Sequence, residues 1–274
     1  MISLRIFLCT AVLFFMVEIA GNAVLSTGDD VLVQYQLNKL NDEADIIFFG
    51  DSSLGNSLDA AYASALTGKR VLNFALTGRY GLVGSRIMIE KYLARHRPPQ
   101  AIIVVLSADS FPRKINENEI KMLLNRDLIL TQLISARRLF MAVQARFLSG
   151  GKSVIVNDYV KQGSKINPRK PGRVILHKIS EVNSNSGTAI GELCAQKGIR
   201  CLMACGPILD VFALSASDYF KGLPVFKGLS PAVTATPFAI APEDVGDSVD
   251  HVAPEKRRES TRRWAGFIEQ ELAR

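Results

Sequence analysis

Apolar residues in this chain fall into short dense runs: Ile46, Ile47, Phe48 and Phe49; Val71, Leu72, Phe74, Ala75 and Leu76 around Asn73; Ala-Ile-Ile-Val-Val-Leu over 101–106; and Cys201, Leu202, Met203, Ala204 and Cys205. Runs this short, rich in branched and aromatic side chains and with little polar alternation, predict strands buried on both faces, as in a parallel sheet. Between them the spacing turns helical, over 58–66, over 81–97 up to the stop at Pro98-Pro99, over 179–197, and over 252–272, where Trp264, Phe267, Ile268 and Leu272 share a face. Residues 30–43 carry Val31, Val33, Leu37 and Leu40 at helical spacing as a lead-in to the first strand. Residues 114–148 carry Ile120, Leu123, Leu124, Leu128, Leu133 and Leu139, which predict an amphipathic helix or helix pair packed on the sheet. A short last strand is expected over 236–241. Strands alternating with helices predict an α/β domain.

Two stretches interrupt the alternation. Residues 149–178, dense in Gly, Lys, Asn and Pro, predict an exposed insertion whose Lys165, Arg169, Lys170 and Arg173 are more simply solvated than engaged with an acidic polymer. Residues 207–235 form a second insertion; its Tyr219, Phe220, Leu223, Val225 and Phe226 either pack internally or overhang the turn after the first strand and shape a pocket there. Residues 6–25 are an apolar run of about membrane-spanning length, with Arg5 before it and Asp29 and Asp30 after it, which points the N-terminus inward and the bulk of the chain outward. Gly21-Asn22-Ala23 is a small-x-small cleavage pattern, so 1–25 is a signal anchor or a signal peptide and 26–274 the folded domain. Glu18 is costly inside such a run.

A chain of 274 residues suffices for one domain with a sizeable core. Its net charge of +7 and isoelectric point near 9.3 favour anionic surroundings such as phospholipid headgroups or acidic polymers. Nucleic acid is excluded as a partner by the absence of a binding motif and of aromatics among the basic clusters. Lys256, Arg257, Arg258, Arg262 and Arg263 are expected to form a solvated helix face. Cys194 and Cys201 can pair if the protein is exported; buried free thiols are the plainer expectation. His96, His177 and His251 lack ligand-spaced companions outside the carboxylates discussed next, so no metal site is expected.

The candidate chemistry begins where the first strand ends. Gly50-Asp51-Ser52 breaks the apolar run abruptly, with Gly50 expected to give the freedom to turn, and places Ser52 at the carboxyl end of a strand, where open α/β sheets hold their ligands. Asp51 and Ser52 also suit plain helix capping. Near the other end of the chain stand Asp247-Ser248-Val249-Asp250-His251, just before the last helix. A serine hydroxyl becomes a nucleophile when an imidazole takes its proton and a carboxylate holds that imidazole in the right tautomer.

In these two motifs, over roughly 44–273, the chain resembles the SGNH (GDSL-type) hydrolase superfamily. The resemblance implies a three-layer, flavodoxin-like, mostly parallel sheet with helices on both faces, here preceded by an N-terminal membrane helix. It implies Ser52 as nucleophile, His251 as general base and acid, and Asp247 as the orienting carboxylate. The family spacing of Asp-x-x-His falls on Ser248, so Asp250 is the alternative acid; adjacent side chains in an extended loop point apart, which favours Asp247. The oxyanion is expected on the backbone N–H groups of Ser52 and Gly78, although Gly78 reads equally as a turn glycine. Where the family has Gly-x-Asn-Asp this chain has Ser107-Ala108-Asp109-Ser110, without the asparagine donor, a departure shared by members linked to bacterial polysaccharide O-acylation. The expectation is an esterase or O-acyltransferase acting on acylated carbohydrate, needing no cofactor, anchored in the inner membrane facing the periplasm or secreted if the leader is cleaved. The alternative is a catalytically inactive protein of the same fold that binds polysaccharide or an assembly partner.

Overall fold

The computed structural model describes residues 28–124, 155–156, 159–160, 165–170, 176–231 and 238–273. The leader at 6–25, residues 125–148 of the long helical stretch and most of the 149–178 insertion lie outside the described residues. Among the described residues no helix is long and apolar enough to cross a membrane.

The apolar runs form a five-stranded sheet. Strands β1 (Ile46–Gly50), β2 (Val71–Ala75), β3 (Ala101–Leu106), β6 (Arg200–Cys205) and β8 (Ser230–Pro231) stand in the order β2-β1-β3-β6-β8, every neighbouring pair parallel. β4 (Ile155–Val156) and β5 (Tyr159–Val160) make a separate antiparallel pair. Every residue of β1 and β3 is buried because helices cover both faces. On one face Ile46, Phe48, Ile103 and Val105 pack with Ala63 of α3 (Ala60–Thr67) and with Trp264, Phe267 and Ile268 of α8 (Arg257–Leu272). On the other, Ile47, Phe49, Ile102 and Val104 pack with Val83, Ile87 and Tyr92 of α4 (Gly81–Leu93) and Ile190 of α6 (Glu181–Lys197). α1 (Gly28–Lys39) and α5 (Glu117–Leu124) join this second layer through Leu37 and Leu123. A strand clothed on both sides has no polar alternation, which is why its sequence is a continuous apolar run.

Gly50 serves close approach rather than turning. It pairs with Val105 in the parallel register, and a Cβ there would stand 2.0 Å from the Val105 carbonyl oxygen. Its backbone is not among the left-handed glycines. The turn itself falls on Asp51, after which an additional short helix, α2 (Ser52–Ser57), precedes the one expected over 58–66, which is α3; Leu58 is extended between them. α8 holds this break. The Arg257 guanidinium donates through Nη2 to the carbonyls of Gly55 at 3.1 Å and Leu58 at 2.7 Å, Trp264 Nε1 donates to Ser57 Oγ at 3.0 Å, and Thr261 Oγ1 accepts from Asp59 N at 3.0 Å. Arg257 is therefore buried and structural, not part of a solvated basic face.

Two further features complete the fold. The expected last strand is β9 (Ala239–Ile240), which pairs in parallel with β7 (Ile208–Leu209) as a two-stranded sheet of its own, while the main sheet ends on β8 from within the 207–235 insertion. Cys194 and Cys201 are joined in a disulfide with their Cα atoms 6.1 Å apart, and Cys205 is a buried free thiol. α6 ends on Gly198 in the left-handed conformation, and this reversal brings the start of β6 back against the last turn of the helix.

Candidate functional site

Asp51 carries the architecture of the site. Its carboxylate is fully buried: Oδ1 accepts from Ser53 N at 3.0 Å and Ser53 Oγ at 2.6 Å, while Oδ2 accepts from Ser107 N at 2.7 Å and Ser110 Oγ at 2.6 Å, with Ser107 Oγ also at 2.7 Å. Asp51 thus does cap α2, and it also ties the turn after β1 to the turn after β3. That junction, where the chain has wound outward in both directions from β1, is the switch point at which doubly wound sheets place ligands. Gly206, at the end of β6, closes the same corner, since a Cβ there would lie 2.0 Å from Ser53 Oγ.

Ser52, beside Asp51, is partly exposed, and neither its Oγ nor its N–H has a hydrogen-bond partner among the described residues. The Gly78 N–H is likewise unpaired among them. Gly78 is buried, and a Cβ at that position would stand 2.8 Å from Ser110 Oγ and 3.3 Å from Arg113 Nη1, so it is a close-approach glycine beside the junction. Asp109, at the place of the missing asparagine, is ion-paired with Arg113 and accepts from Ser107 Oγ at 2.7 Å. Ser107 Oγ has one hydrogen and two carboxylates in reach, which couples Asp51 and Asp109 through a single hydroxyl.

The Asp/His loop is tied down at several points. Val245 and Val252 bridge its ends, Gly246 N donates to the His251 carbonyl at 2.7 Å, and Leu209 N of β7 donates to the Val249 carbonyl at 2.6 Å. Ile166 N reaches the Gly246 carbonyl at 2.9 Å and Lys165 pairs with Glu255, so this part of the 149–178 insertion braces the loop instead of standing free in solvent. Within the loop, Asp247 Oδ1 lies 2.7 Å from His251 Nδ1, and Asp250 Oδ1 stands 3.9 Å from Nε2. The hydrogen bond to Asp247 places the proton on Nδ1 and leaves Nε2 as the basic nitrogen.

Because β7 follows directly from β6, and β6 runs parallel to β1 through β3, the His251 loop and the Ser52 turn lie at the same, carboxyl edge of the sheet. Charge reports the same convergence. Burial of the imidazole pulls its pKa down, but the hydrogen bond it donates to Asp247 and the charges of Asp250, Asp247 and Asp51 outweigh this and raise it above its ordinary value. Asp250 is pushed up, first by burial and then by Asp51 and Asp109 against the opposing pull of His251. The Cys205 thiol is pushed up by burial and by the same three aspartates. No hydrogen bond joins Ser52 to His251 among the described residues. Asp247 and His251 are brought together, and Ser52 is brought to their edge of the sheet but not into contact.

The 207–235 insertion divides between the two roles open to it. Tyr219 of α7 (Asp210–Lys221) leans on Phe111, centroids 6.2 Å apart, just past the Ser107–Ser110 turn, and its hydroxyl is pushed up to about 12 by burial and by Asp109. Phe226 packs internally over Gly187, while Val225 is exposed. Among the described residues no group of three or more His, Cys, Asp or Glu is arranged to hold a metal. Ser107, Ser110 and Arg113 are the site residues that sequence reasoning passed over; the only signal was their place in the block after β3.

Comparison with family models, with curated proteins and with solved structures gives no match to this chain.

Proposed function

We propose that the chain is a serine-dependent ester hydrolase or O-acyltransferase acting on acylated carbohydrate at the cell envelope. The observation that carries this reading is the pairing of His251 Nδ1 with Asp247 at the same sheet edge as a partly exposed serine whose Oγ and N–H are both uncommitted among the described residues. Ser52 Oγ attacks the ester carbonyl carbon as its proton passes to His251 Nε2, and the carbonyl π pair becomes the oxyanion, held by the N–H groups of Ser52 and Gly78. Collapse of the tetrahedral intermediate expels the alkoxide, which takes the proton from Nε2 and leaves the acyl group on Ser52. Water or a sugar hydroxyl then repeats the sequence, returning the proton to Ser52. Asp247 stabilises the transient imidazolium throughout.

The Cys194–Cys201 disulfide supports an oxidising compartment such as the periplasm. The apolar 6–25 segment supports attachment to the inner membrane, or secretion if it is cleaved. A second reading, a non-catalytic protein that binds polysaccharide or an assembly partner, is favoured by one observation, the lack of a Ser52–His251 hydrogen bond among the described residues. Catalytic hydrogen bonds in unliganded sites often tighten only with substrate, so this gap does not decide against catalysis. Turnover of p-nitrophenyl acetate by the full-length chain, abolished in Ser52→Ala, is the expected result. Equal turnover by both proteins, or none by either, favours the binding reading.

A further inference from the structure

The turn after β3 holds a cation whose arrangement the serine chemistry leaves unexplained. Arg113 is exposed but doubly tethered: Nη2 pairs with the Asp109 carboxylate and Nε donates to the Asp109 carbonyl at 3.3 Å. Nη1, with two N–H bonds, has no partner among the described residues. That nitrogen stands against Gly78, 3.3 Å from where a Cβ would be, and the neighbouring Ser110 Oγ is one 2.6 Å hydrogen bond from the Asp51 carboxylate that precedes Ser52. A guanidinium so fixed presents one face of donors and cannot lose its charge.

The surroundings are rich in carboxylates. Asp51, Asp109 and Asp250 all act on Cys205 at the end of β6, and Asp247 lies beyond His251. An oxyanion forming on a substrate carbonyl at Ser52 meets this concentration of carboxylates, against which two backbone N–H groups are a weak counterweight. We propose that Arg113, aimed by Asp109, is a third and charged oxyanion donor through Nη1, acting beside Gly78. The proposal rests on the serine-enzyme reading above. It also gives Asp109 a positioning role: the carboxylate that would itself repel the oxyanion is neutralised by the group it orients.

The experiment uses the full-length chain purified in detergent, with p-nitrophenyl acetate as probe and circular dichroism to verify folding of each variant. Removal of one oxyanion donor costs about 100- to 1000-fold in turnover in a dry site; for this exposed guanidinium Arg113→Ala is expected to lower kcat by about 10- to 100-fold with little change in KM. Added guanidinium ion at low millimolar concentration restores part of the loss, and Arg113→Lys retains more activity than Arg113→Ala. The double variant Arg113→Ala/Asp109→Asn, which removes the repulsion of the unpaired carboxylate but not the loss of the donor, recovers only part of the activity if Nη1 is a donor. Full recovery to the wild-type kcat in the double variant, or a failure of guanidinium to rescue a folded Arg113→Ala protein, overturns the proposal by reducing Arg113 to a neutraliser of Asp109 or a scaffold residue. An unchanged kcat in Arg113→Ala overturns it while Ser52-dependent turnover persists, and absence of any Ser52-dependent turnover in the wild-type chain overturns both this proposal and the serine-enzyme reading.

Discussion

At the scale of single residues, Asp51 and His251 define the site from its two ends. Asp51 accepts hydrogen bonds at both oxygens from Ser53, Ser107 and Ser110 in a fully buried position, so Asp51→Asn sets an amide N–H₂ against hydroxyl and backbone donors. Hydrogen bonds to a buried charge contribute about 1.5–3 kcal/mol and an unsatisfied buried group costs a similar amount. Asp51→Asn is therefore expected to destabilise the protein by about 2–4 kcal/mol, read from denaturant unfolding, with activity lost as the two turns separate. His251 has a folded pKa raised above its ordinary value, and the base role proposed for it requires the neutral imidazole. The rate, kcat/KM, should rise with pH through an inflection above the ordinary imidazole value. Asp247→Asn should move that inflection to lower pH and cut the plateau by about 1000-fold or more, which a pH–rate profile of both proteins measures. The sign for stability is the reverse: a raised folded pKa means the folded state holds the proton more tightly, so this contribution is complete below the ordinary imidazole value and is lost as pH rises through the folded value. Asp247 and His251 were readable in the sequence because they are four apart in one short loop. Ser107 and Ser110 were not: their bonds to Asp51 span 56 and 59 positions, and a serine hydroxyl leaves no periodic trace.

At the scale of elements, the geometry of the candidate site depends on how α8 grips α2. Arg257, Thr261 and Trp264, spaced along one face of α8, donate to the Gly55, Ser57 and Leu58 carbonyls and to the Ser57 hydroxyl at the carboxyl end of α2, so the last helix of the chain sets the angle of the helix that begins at Ser52. Arg257→Ala leaves the Gly55 and Leu58 carbonyls buried without this donor and is expected to cost about 2–3 kcal/mol, with a parallel loss of turnover. Trp264→Ala removes a fully buried ring in edge contact with Phe48 at 5.6 Å and Phe267 at 5.7 Å, and should cost about 3–5 kcal/mol in the same unfolding measurement. Strands β1, β2, β3 and β6 were legible because burial on both faces writes itself as an apolar run. The break between α2 and α3 was not, since it is imposed by α8 from some 200 residues away, as in the bond from Asp59 N to Thr261 Oγ1 at a separation of 202. Arg257 looked like its basic neighbours for the same reason: composition does not distinguish a guanidinium that faces water from one that faces carbonyls.

At the scale of the whole molecule, the sheet order brings the turn after β1, the turn after β3 and the loop after β9 to one edge, which is how residues near 50, 110 and 250 come to share a site. The Cys194–Cys201 disulfide locks the last turn of α6 to the start of β6, at the amino-terminal edge of the sheet opposite the site, across a sequence separation of 7. Closing so short a loop is worth about 2–3 kcal/mol, so reduction under non-denaturing conditions should lower the melting temperature of the wild type and leave a Cys194→Ser/Cys201→Ser variant unaffected. The central claim is that Ser52 is a nucleophile activated by His251. It is tested most directly by treating the full-length chain with a fluorophosphonate and mapping the adduct by peptide mass spectrometry. The account predicts a single adduct on Ser52, absent in Ser52→Ala and strongly reduced in His251→Ala; no adduct on folded wild-type protein, or one that survives Ser52→Ala, contradicts it.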